Sequence, residues 1–261
     1  MTALPPATTV ARARRAALPV ALCLGLAAAL TACAGEDPDA GTNGVGKLEA
    51  TAIEAKAKAA ADAAQAVRLS GTLVSKGGTY KLNMQLKKSG GIGSVTSKNS
   101  TFELLRAGDA LYLKADADFW AHADSDGKGA SKPPTEEDTA AADKLDDKYV
   151  KVPEDDPSYK QLRGFTEMDV LLDGLLGLHG KRSKGDRDTI GGIRTVKVLG
   201  AEGGGGTLDV SLQGTPYPVQ FARAGGAGVL TLADWNEDFE LEAPTKDAMV
   251  DYGRELPRTN D

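Results

Sequence analysis

The chain is short of the residue types that most often carry chemistry. Its 261 residues include 2 cysteines, 2 histidines and 2 tryptophans, and aromatic side chains make up 5% of the whole. Cys23 sits inside an apolar run near the N-terminus and Cys33 just beyond it, so the rest of the chain has no thiol for a disulfide or a metal and must be held by an ordinary core. His122 and His179 stand in different segments with no His-x-x-x-His or paired acidic spacing around them, and no metal site is expected. Gly-x-Ser-x-Gly is absent, and the glycine clusters lack a following Lys-Ser or Lys-Thr and sit between strand patterns, so they read as turns. The Ser-x-x-Lys from Ser125 to Lys128 falls in an acidic loop region, where no helix holds both groups. Asp124-Ser125-Asp126-Gly127 is similar to the middle of a calcium loop. His122 stands where the first acidic ligand belongs and Pro133 where the closing glutamate belongs, so a solvated loop is expected. Neither catalysis nor a cofactor is expected.

Charge of one sign and long apolar runs are also missing. The 31 basic side chains are outnumbered by 37 acidic ones and form no dense cluster, which argues against nucleic acid and against electrostatic adhesion to anionic lipid. The longest apolar run, Ala16 to Leu30, has about 15 residues, as a signal peptide's core does. A retained membrane helix wants about 20. Arg12, Arg14 and Arg15 precede it as a positive start, and Leu30-Thr31-Ala32-Cys33 follows it. Those four residues resemble the bacterial lipobox. The resemblance implies removal of residues 1–32 and a diacylglyceryl thioether on Cys33, which anchors the protein to the membrane; two acyl chains suffice for stable anchoring. Arg14-Arg15 lack the flanking pattern of twin-arginine export. Without the three signal arginines the basic count falls to 28 against 37 acidic, about nine net negative charges. The sequon Asn99-Ser100-Thr101 is idle if the lipobox places the chain in a bacterium.

Residues 33–46, rich in Gly, Asp, Thr and Asn, read as a flexible tether, residues 47–255 as one domain and residues 256–261 as a frayed tail. Leu48 to Val67 is alanine-dominated, with Glu54 and Lys58 four apart, and predicts a helix. Period-two alternation then predicts ten or eleven half-buried antiparallel strands. The clearest is Tyr80, Leu82, Met84 and Leu86 against Lys81, Asn83, Gln85 and Lys87. Leu208, Val210 and Leu212, then Tyr217, Val219 and Phe221, and Phe239 with Leu241, repeat the pattern. Residues 116–147 are acidic and poor in large apolar side chains, and read as a mobile excursion. Pro157 to Leu178 reads as helix, Gly180 to Asp188 as a charged loop, and the stretch after Pro244 as at most one helical turn. Each strand has one apolar and one polar face, so the sheet needs cover on one side only.

The order of elements resembles a known family. An alanine-rich helix runs into Val67-Arg68-Leu69-Ser70-Gly71-Thr72-Leu73, and Leu111-Tyr112-Leu113-Lys114 precedes Phe119-Trp120. Lys148-Tyr149-Val150-Lys151-Val152-Pro153 leads to the second helical region, and Gly214-Thr215-Pro216-Tyr217-Pro218-Val219 and Trp235 lead to Glu242-Ala243-Pro244. This is similar to the LppX/LprG group of actinobacterial lipoproteins within the LolA-like superfamily. The resemblance implies an α+β fold in which a strongly curved antiparallel sheet, a half-barrel, carries helices across its concave face and encloses a hydrophobic cavity for acyl chains.

Two functions follow as expectations. The first is a non-catalytic carrier of a lipid or glycolipid on the outer side of the cell membrane. Its cavity would be lined by Leu69, Leu73, Leu82, Met84, Leu86, Leu104, Leu113, Leu172, Leu175, Leu176, Leu208, Val210, Leu212, Phe221 and Leu232. The second is an envelope interaction or sensor module with a filled core that docks an unidentified partner protein. Alanine on the first helix either lets it approach the sheet closely or leaves a gap that accepts apolar ligands.

Overall fold

The computed structural model describes residues 38–75, 78–97, 100–121 and 135–251. The expected signal segment, Cys33, Asn99, the stretch from His122 through the calcium-like loop to Pro133, and the tail 256–261 lie outside the described residues. The chain divides into two units, Met1–Ala40 and Gly41–Asp261, and every element below belongs to the second.

Alternating sequences build one 12-stranded sheet. β1 (Ala66–Ser75), β2 (Gly78–Lys87), β3 (Gly90–Ser97), β4 (Ser100–Ala107), β5 (Ala110–Ala115) and β6 (Tyr149–Val152) form one meander. β7 (Arg182–Ile190), β8 (Ile193–Gly200), β9 (Thr207–Ser211), β10 (Pro218–Ala222) and β11 (Gly228–Ala233) form a second, joined to the first where β11 pairs with β1. β12 (Met249–Val250) adds to β6 in parallel; the other described pairs are antiparallel. The order is linear from β12 to β7, so the curved sheet stays unclosed.

Residues paired across strands share a face. On the inner face the pairing Val198, Leu208, Phe221, Leu230, Gly71, Leu82, Val95, Phe102, Ala115 runs unbroken from β8 to β5. A second row, Leu232, Leu69, Met84, Gly93, Leu104, Leu113, Val150, lies beside it. The outer face reads Lys197, Asp209, Gln220, Thr231, Ser70, Asn83, Ser94, Glu103, Lys114, Tyr149. Gly71 interrupts the first row because β11 crowds it: at φ +141° a Cβ there would meet the Val229 carbonyl oxygen at 2.1 Å. Opposite faces thus carry opposite solubility, as the alternation predicts.

α1 (Ala50–Ala63) packs over β7–β10 with Ala50, Ile53, Ala57 and Ala61 buried at helical spacing. It is shorter than the predicted Leu48–Val67. Ala64 turns extended and Ala66 and Val67 already pair with β2, so cross-strand hydrogen bonds override helix propensity there. Glu54 grips Arg182 on edge strand β7 in a fork of 2.6 and 3.0 Å. Over the other half, α2 (Ala117–Ala121) touches β4 and packs on α3 (Glu136–Ala142), and the link between α4 (Tyr159–Gly164) and α5 (Met168–Leu175) is held to β4 through Thr166 and Arg106.

Several expectations are corrected. Residues 182–190 are an edge strand, where a charged loop was expected. Both of its faces carry polar residues and its register shifts between Lys184 and Arg187, so no period-two signal survives. Phe239 and Leu241 form no strand. Residues 234–248 run instead as a strap over the outer face: Asn236 N–H donates to the Ala66 carbonyl, Lys87 lies 4.7 Å over the Phe239 ring, and Lys148 donates to the Asp247 carbonyl. The ends of the acidic excursion are helical, α3 being started by a Thr135/Asp138 capping box. The folded body also begins at Gly41, inside the expected tether. Asn43 Nδ2 donates to the carbonyls of Ser211 and Gly214, and Val45 is buried.

Candidate ligand site on the concave face

The predicted lining residues converge. Leu69, Leu82, Met84, Leu86, Leu104, Leu208 and Val210 are at most 1% exposed, and Leu113, Leu172, Leu175, Leu176, Leu212, Phe221 and Leu232 are also buried. All belong to one apolar cluster between the inner face and the helices. Leu73 alone is half-buried, at the end of the inner face where β1 stops. Side chains with no accessible area touch protein atoms on every side, so in this conformation the lower rows are packed.

The upper end differs. Leu73, Tyr80 and Phe102 of the sheet and Phe119 and Phe165 of the helical cover are each half-buried against the core. Phe119 of α2 meets Phe102 with ring centroids 5.7 Å apart, and Phe165, between α4 and α5, meets Tyr80 at 6.4 Å. Trp120, beside Phe119, is buried; the rings meet edge-on at 5.2 Å and 89°. Trp235 is the contrasting tryptophan. It stacks on Tyr217 at 4.7 Å and donates to the Pro218 carbonyl at 3.0 Å.

One charged residue interrupts the inner face. The row Val67, Leu86, Gly91, Arg106, Leu111, Val152 places a guanidinium among apolar side chains, 5% exposed. Arg106 donates to Thr166 Oγ1 at 3.1 Å, to the Thr166 carbonyl at 3.0 Å and to the Gly108 carbonyl at 2.7 Å. Among the described residues no carboxylate lies within ion-pair distance of it. Burial, and then the charge of Arg163, push the guanidinium down from its ordinary value, with Glu167, Tyr159 and Asp109 opposing. Thr166 sits directly over Gly91, where a Cβ would stand 3.2 Å from the Thr166 carbonyl oxygen. Arg106 and Gly91 together fasten the α4–α5 link to the sheet. Sequence reasoning passed over Arg106, although Phe102, Leu104 and Arg106 alternate onto one face and so marked a charge on the apolar side.

Two clefts of about 350 Å³ each open near the β4–β5 turn, and charged side chains border both. Lys88, Arg106, Arg163, Glu167 and Asp169 border one, and Asp109, Lys151, Glu154, Asp155 and Asp251 border the other. Neither is lined by the predicted residues. Among the described residues no group of three or more His, Cys, Asp or Glu side chains could hold a metal, and no helix is long and apolar enough to cross a membrane.

No protein-family model matches the chain, and no curated protein matches it. Among solved structures it is similar to LprF from Mycobacterium bovis, with a TM-score of 0.43 and 15% identity over 75% of this chain and 96% of that one. The Mycobacterium tuberculosis lipoprotein LppX gives 0.42 and 14% over 74% and 98%. A lipoprotein-sorting protein domain from Vibrio parahaemolyticus gives 0.23 and 10% over 75% and 95%.

Proposed function

We propose that the protein is a lipoprotein held on the outer side of the cell membrane through Cys33, and that it binds the acyl part of a lipid or glycolipid between the concave face and the helices over β1–β6. Binding is by hydrophobic burial, without chemistry. The observation that carries this reading is the rim of half-buried Leu73, Tyr80, Phe102, Phe119 and Phe165, which continues the buried inner rows toward solvent. The cover there consists of helices of 5, 6 and 8 residues, α2, α4 and α5. Helices this short owe their stability to packing and can be displaced where an incoming chain replaces that packing. Each methylene taken from water contributes about 0.8 kcal/mol. Native mass spectrometry of the full chain extracted from its own host's membranes tests the reading: a lipid retained in stoichiometric amount is expected, and a clean protein mass overturns it. Cys33→Ala is expected to abolish labelled palmitate incorporation and membrane retention.

A second reading, a docking module with a filled interior, is favoured by the complete burial of Leu69, Met84 and Leu104. The clean mass would decide for it.

A further inference from the structure

Among the described residues of the folded body, the indole Nε1 of Trp120 is the one buried side-chain polar atom without a hydrogen-bond partner. This is costly, because an N–H removed from water and left unpaired loses its hydration with nothing in return. Other long side chains of the body show what a satisfied group looks like here: Trp235 Nε1 reaches the Pro218 carbonyl, Tyr159 OH the Asp109 carbonyl, and Tyr149 OH donates to Glu103. Trp120 stands in α2, directly after β5 runs out at Ala115, and is buried in the apolar cluster that includes Ala115, Ala142 and Leu145. Its neighbour Phe119 leans on Phe102 of the inner row. The donor therefore lies in the cover of the upper inner face, beside the rim assigned above to acyl chains.

An indole N–H donates and cannot accept, so its missing partner is an acceptor. The surroundings decide which kind. Phe119 lies against the ring and the cluster around it is apolar, so a carboxylate brought there would forfeit its hydration against no compensating charge. A neutral carbonyl forfeits far less. We propose that Trp120 Nε1 donates to the carbonyl oxygen of a neutral acyl group, an ester or amide, and so selects acylated lipids over free fatty acids and plain hydrocarbons. This rests on the acyl-ligand reading above and gives its site a polar point of recognition.

The test uses the full chain in a maltoside detergent, which contains no ester. Two probes of equal chain length are compared, the methyl ester of dibromostearic acid and dibromo-octadecane, with bound bromine measured after gel filtration. The expected result is roughly five- to tenfold tighter binding of the ester, the worth of one buried neutral hydrogen bond. Trp120→Phe, which keeps an aromatic ring and removes the donor, is expected to abolish that preference while hydrocarbon binding persists. A measurement on the unmutated chain covers the case in which the variant misfolds. With indole nitrogens labelled, the Trp120 N–H proton resonance should move downfield when the ester binds and stay in place with the hydrocarbon, while Trp235, already bonded, serves as the internal standard. Equal binding of both probes, a preference that survives Trp120→Phe, or an unmoved Trp120 resonance overturns the inference and leaves the carrier reading standing. Failure of both probes to bind overturns both.

Discussion

The two halves of the sheet are covered by different means. Over β7–β10 lies one 14-residue helix whose buried face is Ala50, Ile53, Ala57 and Ala61, clamped to the edge strand by Glu54 and Arg182. Over β1–β6 lie short helices whose contacts are large and aromatic, Phe119, Trp120, Phe165 and Leu171, fastened by a buried arginine hydrogen-bonded to neutral oxygens. Alanine allows close approach and leaves nothing to displace. The aromatic side chains are bulkier, and several remain half-buried at the rim. The difference teaches that one half is built as a wall, and it supports the proposal that the other is a door with the acyl ligand under α2, α4 and α5.

If that contrast is right, the largest effect should come from hollowing the wall. Ile53→Ala is expected to destabilise the fold by about 3–4 kcal/mol, since a fully buried β-branched side chain leaves a cavity that a rigid helix cannot collapse. Leu171→Ala, half-buried on α5, should cost about 1 kcal/mol and weaken probe binding instead. Urea unfolding of both variants decides; equal losses would break the comparison. Next comes the fastening of the door. Arg106→Met leaves the Thr166 and Gly108 oxygens without their donor and should cost about 2–3 kcal/mol. Hydrogen exchange should quicken in α5 and stay unchanged in α1, and acceleration of both would show one cooperative cover.

A smaller effect is expected at the clamp. Glu54→Gln keeps the shape and removes the charge, and a partly solvated pair contributes about 1 kcal/mol. Its loss should diminish at high salt, measured by urea unfolding with and without added chloride. The smallest lies on the outer face at β6, where burial, and then the hydrogen bond to Glu103, raise the Tyr149 hydroxyl well above its ordinary value of 10.0. The folded state holds that proton longer than the unfolded chain does. The contribution is therefore complete below about pH 10 and declines as pH rises beyond it. Tyr149→Phe should lack this part of the alkaline decline in a stability–pH profile. Identical profiles would show that Tyr149 ionises normally.

Much of the inner face was legible in the sequence. Period-two alternation placed Leu82, Met84, Leu86, Leu104, Leu208 and Phe221 on one face because a strand offers a side chain only two directions. Arg182–Ile190 was not legible, since an edge strand can be polar on both sides, and the strap at residues 234–248 was misread because Phe239 and Leu241 alternate without a ladder to join. Arg106 was overlooked because a charge on an apolar face makes sense only once Thr166 is seen above Gly91.

What the sequence determined by itself were properties set by neighbours along the chain: the apolar run that ends at Leu30-Thr31-Ala32-Cys33, the two-faced strands, the alanine-rich helix and the scarcity of histidine and cysteine. These depend on local spacing, which folding does not change. The tertiary structure alone decided which helices cover which strands, that the sheet closes on itself nowhere, that Arg106 is buried against neutral oxygens, and that Trp120 keeps an unpaired donor while Trp235 does not. Each of those rests on groups distant in sequence meeting in space, and whether a polar group is satisfied is settled by where its potential partners end up.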